Sequence, residues 1–208
     1  MAKKPTRTLE SVPSSRPPYR DKLFVPKRMF LTKGVGRHRE RLSSFEEALR
    51  DAGIAYCNLV HVSSIYPPYC KLIPRSRGTK ELVPGEVVFC VMSRIETNEP
   101  NRLMAASVGL ALPSDKADYG YLSEHFAFGE TEDRAGDYTE DLAATMLAST
   151  LGVAFNADSS YDEKKEIWRI SNQIYQTRHI TQSAEGDKNG LWTCCIAAAV
   201  LLFEEPSK

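Results

Sequence analysis

One stretch of the chain reads Asn58-Leu59-Val60-His61-Val62-Ser63-Ser64-Ile65-Tyr66-Pro67-Pro68. Its loose alternation and its content of Val, Leu and Ile predict a β-strand over residues 56–65. Proline has no backbone N–H to donate to a neighbouring strand, so Pro67 and Pro68 end that strand. The stretch therefore places two adjacent serines at the end of an apolar strand.

A serine pair in a constrained backbone can break its own peptide bond. The hydroxyl of Ser64 can attack the carbonyl carbon of Ser63, and β-elimination from the resulting ester leaves Ser63 as a new C-terminus. The dehydroalanine left at position 64 loses ammonia and becomes a pyruvoyl group, a ketone that condenses with amines and serves as an electron sink. Serine pairs also occur at residues 14–15, 43–44 and 159–160, so the pair alone fits an ordinary turn better.

Strand patterns and two helix patterns surround this stretch. Two overlapping Ser-x-x-Glu capping boxes at residues 43–47 predict a helix over 44–52, which Gly53 ends. Asp137 is predicted to cap a second helix over 138–151, which Gly152 closes. Strands are predicted over residues 29–31 (ending at Gly34-Val35-Gly36), 85–96, 103–112, 120–128, 168–183 and 191–203, with a loop over 156–166. Strands in hairpin order with two helices indicate an α+β fold with a largely antiparallel sheet.

Positive charge is concentrated towards the N-terminal end. Residues 1–41 contain 12 Lys and Arg against three acidic residues, a net charge of +9, and the other 167 residues contain 15 against 24, a net charge of −9. The total of zero argues against nucleic acid or a membrane surface as the partner of the whole chain. Residues 1–28, rich in Pro, Ser and Arg, predict a flexible basic extension before a single domain over 29–208.

The cysteines and histidines predict no metal site. The five cysteines have no Cys-x-x-Cys spacing, and the four histidines have no ligand spacing. Buried, reduced thiols in a cytoplasmic protein are expected, with Cys194 and Cys195 on opposite faces of a strand. The longest apolar run, residues 191–203, has 13 residues, whereas a membrane-spanning helix needs about 20.

Landmarks in a fixed order along the chain resemble the pyruvoyl-dependent arginine decarboxylases. Around the serine pair they are Ala52-Gly53-Ile54, Asn58-Leu59, Val62-Ser63-Ser64-Ile65 and Pro67-Pro68. Farther along they are Leu82-Val83-Pro84-Gly85, the stretch 105–113 followed by Asp115-Lys116, and Cys195-Ile196-Ala197-Ala198-Ala199. The resemblance runs from about Phe45 to Phe203 and leaves residues 1–28 outside it.

The resemblance implies a four-layer αββα sandwich that cleaves itself between Ser63 and Ser64 into chains of residues 1–63 and 64–208. It implies a pyruvoyl cofactor made from Ser64, L-arginine as substrate, and agmatine and CO₂ as products. It also implies a homotrimer, or a hexamer of two trimers, with active sites between subunits. Two alternatives remain: decarboxylation of ornithine or S-adenosylmethionine on the same cofactor, and an uncleaved homologue that binds or assembles without catalysis.

The resemblance assigns roles to single residues. Ser64 matches the residue that becomes the pyruvoyl group, and Ser63 matches the last residue of the shorter chain. Asn58 matches an asparagine that polarises the Ser63 carbonyl during cleavage, as an amide N–H₂ can do; a strand-edge asparagine bonded to backbone explains it equally well. Glu124 matches the acid that protonates the substrate carbon after decarboxylation, where an exposed strand glutamate is the structural alternative.

Substrate choice is assigned to a different carboxylate. Glu46 matches a helix-start aspartate that faces the substrate guanidinium, which a carboxylate can hold bidentately. Glu46 is also a capping-box glutamate, which explains it without any substrate. After Glu124, residues 125–128 replace a shorter acidic run of the family, and His125 is expected to face away from Glu124. Since glutamate is one methylene longer than aspartate, ornithine or another basic amino acid stays open as the substrate.

Overall fold

A computed structural model describes residues 24–152 and 174–203 of the chain. Its elements are β1 (Arg28–His38), α1 (Arg41–Ala52), β2 (Asn58–His61), β3 (Ile65–Tyr66), β4 (Lys71–Leu72), α2 (Arg75–Glu81), β5 (Val87–Thr97), β6 (Leu103–Pro113), β7 (Gly120–Phe128), α3 (Glu132–Thr150), β8 (Ile174–Glu185) and β9 (Trp192–Leu202). The predicted loop over 156–166, and most of the predicted extension over 1–28, lie outside these residues. Within the described ranges, none of the helices has the length and apolar content to cross a membrane.

The strands form two sheets that face each other, and one long helix covers the outer face of each. The first sheet has the order β2-β5-β9-β1-β4, and the second has the order β3-β7-β6-β8. The long strands pair antiparallel, whereas the short β2 and β4 run parallel to β5 and β1. Helix α1 packs on β1 and β9, and α3 packs on β6, β7 and β8. The predicted αββα sandwich with mainly antiparallel sheets is confirmed.

Strand β9 is buried on both faces because it lies between α1 and the second sheet. Cys194 belongs to the buried cluster that contains Ala48 of α1, whereas Cys195 belongs to a cluster with Met104 between the sheets. The expected placement of these two cysteines on opposite faces is confirmed. Burial raises the pKa of Cys194 to about 11 and that of Cys195 to about 12, and all five cysteines are free thiols.

The prediction that β1 ends at its glycines is wrong, since the strand continues through Gly34 and Gly36 to His38. A Cβ atom at Gly34 would lie 2.2 Å from the carbonyl oxygen of Ala48, and one at Gly36 would lie 2.2 Å from that of Ser44. The glycines therefore let the α1 backbone lie directly against the strand, and they do not form a turn.

Both long helices begin earlier than predicted. Helix α1 begins at Arg41 after Glu40, without a side-chain capping bond, and Ser44 lies buried inside it with its hydroxyl donating to the Arg41 carbonyl (2.7 Å). The capping boxes at residues 43–47 therefore do not form. Helix α3 begins after Thr131, whose hydroxyl accepts from the Arg134 amide, so Asp137 lies in its interior. The predicted ends at Gly53 (φ 76°) and Gly152 (φ 72°) are confirmed.

Helix α2 has no counterpart among the predicted elements, because the pattern of residues 75–81 has no apolar face. It is attached through Gly78, where a Cβ atom would lie 2.1 Å from the Phe30 ring. Strand β8 corresponds to the strand predicted over 168–183, of which the residues before Ile174 lie outside the described ranges.

Candidate functional site

The serine pair connects the two sheets. The amide of Val62 donates to the Cys90 carbonyl (3.0 Å) in the first sheet, and the Leu122 amide donates to the Ser64 carbonyl (2.7 Å) in the second. The predicted single strand over 56–65 is therefore wrong: it is divided into β2 and β3, which belong to different sheets. The division puts the Ser63–Ser64 peptide bond where the chain crosses from the edge of one sheet to the edge of the other, held on both sides.

A tight turn is centred on Ser64. The amide of Ile65 donates to the carbonyl oxygen of Ser63 at 3.0 Å, which closes a three-residue γ-turn. This oxygen belongs to the carbonyl that the Ser64 hydroxyl would attack, so the Ile65 N–H is a ready donor to the negative charge that develops there. Sequence reasoning missed this group, because a backbone amide has no side-chain signature.

A cleft of about 380 Å³ adjoins the serine pair on the Ser63 side. Residues from four parts of the chain contribute its mainly hydrophobic walls: Phe24, Val62, Ile65, Phe89, Leu201 and Phe203. The rings of Phe89 and Phe203 meet edge to face with centroids 5.5 Å apart. The bond between Ser63 and Ser64 thus borders an apolar space.

Glu124 lies on β7, two residues after Leu122, whose amide holds Ser64. Leu122 is buried between the sheets, and alternation along the strand directs Glu124 to the same side. Glu124 is exposed, but partial burial of its carboxyl raises the pKa above the usual value. Glu124 therefore keeps its proton to a higher pH than an ordinary glutamate, as a proton donor requires.

His61 is the second polar group beside Glu124. It ends β2, pairs in register with Cys90, and stands two residues before Ser63. Its positive charge lowers the pKa of Glu124 and so opposes the effect of burial. The carboxylate of Glu124 in turn adds to the effect of burial, which raises the pKa of Cys90 to about 12. Sequence reasoning considered His61 only as a metal ligand, because no local pattern relates it to Glu124.

Asn58 lies at the opposite end of β2 from His61. Its side-chain amide donates to the Gly85 carbonyl (3.0 Å), and its backbone amide donates to the Glu86 carbonyl (2.7 Å). Asn58 and His61 are three residue steps apart along the strand, a distance of about 10 Å. Within one chain, the structure thus groups Ser64, Glu124 and His61, and places the Asn58 amide on Gly85.

Glu46 lies on the exposed side of α1, where its carboxylate accepts from Arg50 (3.2 Å) one turn later. Because α1 begins at Arg41, Glu46 has no capping function, and that structural explanation is wrong. The helix covers the outer face of the first sheet, whereas Ser64 lies at the crossing from that sheet to the second one, where Leu122 of β7 holds its carbonyl. Glu46 is therefore apart from the serine pair of its own chain.

His125 faces α3, as expected. Its Nε2 atom lies 2.9 Å from Glu130, and its ring lies 4.5 Å from that of Tyr138. On the other side of β7, Phe126 and Phe128 follow Glu124 with 61% and 44% of their surface exposed. An exposed apolar strip therefore adjoins the carboxyl of Glu124.

The site has the parts that a self-made ketone cofactor needs. Ser64 stands in a turn whose carbonyl groups are both held by backbone amides, and a carboxyl with a raised pKa lies on the adjacent strand. The described residues contain no group of His, Cys, Asp and Glu side chains able to hold a metal ion. The turn at Ser64 and the Glu124 carboxyl fit a pyruvoyl group derived from Ser64.

Comparison with known proteins gives a consistent family match. Residues 28–206 match the model of the pyruvoyl-dependent arginine decarboxylase family. A probable pyruvoyl-dependent arginine decarboxylase of Chloroherpeton thalassium is 62% identical over 179 residues, which are 86% of this chain and 98% of that protein. Over the same shares, a pyruvoyl-dependent arginine decarboxylase of Nitrosopumilus maritimus is 57% identical, and pyruvoyl-dependent arginine decarboxylase 2 of Methanosarcina acetivorans is 55% identical.

Proposed function

The chain belongs to the pyruvoyl-dependent arginine decarboxylase family, and we propose that it forms its cofactor from Ser64 and converts L-arginine to agmatine and CO₂. Enzymes of this family use a covalently bound pyruvoyl group, and the names of the relatives specify arginine. Neither ornithine, S-adenosylmethionine nor a non-catalytic role is favoured by any of these findings. The observation that supports self-cleavage best is the turn in which Ile65 donates to the Ser63 carbonyl.

Cleavage begins at the Ser63 carbonyl carbon. The Ser64 hydroxyl attacks it, the oxygen gains negative charge, and the Ile65 amide is positioned to stabilise that charge. The C–N bond then breaks, which leaves an ester and a free amine on residue 64. Loss of the Cα proton expels the Ser63 carboxylate, and addition of one water with loss of ammonia gives the ketone. The hydrogen bond from the Leu122 amide to the Ser64 carbonyl holds residue 64 against β7 while the chain breaks.

Glu124 is the proposed proton donor of the decarboxylation. The pyruvoyl group supplies an electron sink for the pair of electrons released with CO₂. The substrate carbon that loses its carboxylate needs a proton, and the raised pKa of Glu124 keeps one available at the adjacent strand. His61 lowers that pKa and so opposes the effect of burial, which makes the carboxyl a readier proton donor.

Asn58 remains a proposed cleavage residue, with a supporting function in the structure described. Its side chain fixes the start of β2 to the Gly85 carbonyl. Since β2 leads directly to Val62 and Ser63, this bond holds the strand that presents the Ser63 carbonyl. A positioning role by this route explains why an asparagine far from the bond would affect its cleavage.

Glu46 is the proposed contact for the substrate guanidinium, and we place it in the site of a neighbouring subunit of a homotrimer, or of a hexamer of two trimers. Leu42, one helical turn before Glu46 and on the same face, is 76% exposed. Phe126 and Phe128 offer a matching apolar surface beside Glu124. A carboxylate there would pair with the guanidinium through two parallel hydrogen bonds.

Intact mass of the purified full-length chain tests the proposal. After incubation we expect two chains, residues 1–63 and 64–208, with the larger lighter by one ammonia than its serine form and blocked to N-terminal sequencing. CO₂ should be released from arginine, with agmatine as the other product, and not from ornithine or S-adenosylmethionine. A Ser64→Ala chain serves as the control and should stay intact. One full-length chain after prolonged incubation of the unchanged protein would refute the proposal.

A further inference from the structure

Residues 24–26 form one wall of the cleft beside Ser63. Pro26 is buried and Val25 is half-buried, whereas the Phe24 side chain stays largely exposed. The next residue fixes the segment, because the Lys27 amide donates to the Leu202 carbonyl (3.0 Å) and the Lys27 carbonyl accepts from the Lys71 amide (2.9 Å). The wall thus has a defined place just before β1, where Lys27 is held between β9 and β4.

This wall precedes the part of the chain that is shared with the family. The family match begins at Arg28, two residues after Pro26. The 179 matched residues make up 98% of the Chloroherpeton thalassium protein but 86% of this chain, so that relative has few residues beyond the shared fold. Residues 24–26 therefore add a surface to a cleft whose other walls the shared fold provides.

We propose that the segment 24–26 shields the Ser63–Ser64 linkage from water during self-cleavage and thereby favours formation of the ketone over hydrolysis. The inference rests on the proposed self-cleavage. Phe89, Leu201 and Phe203 line the same cleft, so apolar side chains border the linkage at Ser63, which is itself exposed. Exclusion of water from around a reactive intermediate protects it from hydrolysis.

The ester of cleavage has two competing fates. In elimination, the Cα proton of residue 64 is removed and its Cβ–Oγ bond breaks, which releases the Ser63 carboxylate and leads to the pyruvoyl group. In hydrolysis, water adds to the ester carbonyl and the carbonyl C–Oγ bond breaks, which releases the same carboxylate and an unmodified N-terminal Ser64. The two forms of the 64–208 chain differ by one ammonia, so intact mass measures the ratio without any substrate.

Four full-domain proteins test the inference: the unchanged chain, a deletion of residues 2–26, a deletion of residues 2–20 that keeps the wall, and Phe24→Ala. We expect the 2–26 deletion to raise the fraction of serine-ended chain by about threefold or more. Phe24→Ala should give a smaller increase, and the 2–20 deletion should match the unchanged chain. The point variant keeps the test valid if the longer deletion impairs folding, since Phe24 is 80% exposed.

The outcomes separate the two proposals. Equal serine-ended fractions in all four cleaved proteins overturn the shielding inference and leave self-cleavage standing. An increase that is already complete in the 2–20 deletion also overturns it, because the wall is intact there. An unchanged chain that never cleaves overturns self-cleavage and the inference together.

Discussion

The amide nitrogen of Ile65 lies 3.0 Å from the carbonyl oxygen of Ser63, across the residue that would become the cofactor. The bond polarises the carbonyl before any reaction and keeps a donor where charge will develop, at no cost of rearrangement. It exists because β3 begins immediately after Ser64 and fixes Ile65 against Tyr121. The segment in which the chain passes from one sheet to the other therefore also positions the donor that prepares the peptide bond for attack.

Replacement of Ile65 by proline should slow self-cleavage by about 100-fold or more, the usual effect of removing one such donor. Proline deletes the N–H and keeps an apolar side chain. The control is Ile65→Val, which retains the amide and should cleave normally. The rate is measured by intact mass over time, with circular dichroism to confirm folding. Cleavage of Ile65→Pro at the rate of Ile65→Val would contradict the assigned role.

Glu124→Gln should lower kcat for agmatine formation by about 100-fold or more, because glutamine cannot supply the proton. KM for arginine should change much less, since Glu124 is assigned to the proton and not to the guanidinium. Glu99→Gln is the matched control, with a carboxylate whose side chain is 70% exposed away from the site. Both variants are assayed after mass analysis shows how much of each chain has cleaved. Equal loss of kcat in both would remove Glu124 from the mechanism.

The pH dependence should change in a defined direction when His61 is replaced. Glu124 is active as the protonated form, so kcat falls as pH rises through the pKa of its carboxyl. The His61 charge lowers that pKa, and His61→Gln should therefore move the fall in activity to higher pH. His38→Gln is the control: His38 ends β1, where its Nδ1 accepts from the Glu40 amide, and its replacement should leave the profile unchanged. A shift to lower pH in His61→Gln would reverse the assigned sign.

Several features of the fold follow from local patterns. Local residue types predict the end of the strand at the serine pair and the prolines after it. They also predict the end of α1 at Gly53. The alternation of β7 correctly directed His125 towards one layer and Glu124 towards the other. These features depend on neighbours within a few residues, which a single sequence displays.

The features that the sequence predicted wrongly, or did not predict, depend on contacts between distant parts of the chain. Nothing within residues 56–65 marks a change of sheet at Val62, because the partners are Cys90 and Leu122. The pattern Gly34-Val35-Gly36 is typical of a turn, yet in the structure the two glycines allow the backbone of α1 to lie close to β1. The electrostatic effect of His61 on Glu124 likewise arises only when the two sheets face each other.

Gly34→Ala should lower the free energy of unfolding by about 3 kcal/mol, at the upper end of ordinary overpacking, since the new Cβ atom meets backbone. The Ala48 carbonyl oxygen would lie 2.2 Å from it, and neither partner can rotate away. Gly129→Ala is the control: it has φ 79° and open space around it, so its cost should be about 1 kcal/mol. Chemical denaturation compares the two. Equal losses would show that α1 can move away from β1 without penalty.

Mixed subunits test whether Glu46 and Glu124 of one site come from different chains. Each of Glu46→Gln and Glu124→Gln alone should be nearly inactive, the first through a higher KM for arginine and the second through a lower kcat. If both residues come from one chain, co-expression gives no intact site. If neighbours share each site, random mixing of the two variants restores about one site in four, because the unmodified Glu46 of one subunit meets the unmodified Glu124 of the next.

Activity in differently tagged, co-purified assemblies decides between these arrangements, with a mixture of Glu124→Gln subunits alone as the baseline. Absence of any recovery would place both carboxylates within one subunit, although Glu46 on the outer helix and Glu124 on a strand of the other sheet argue for a site completed by a neighbour.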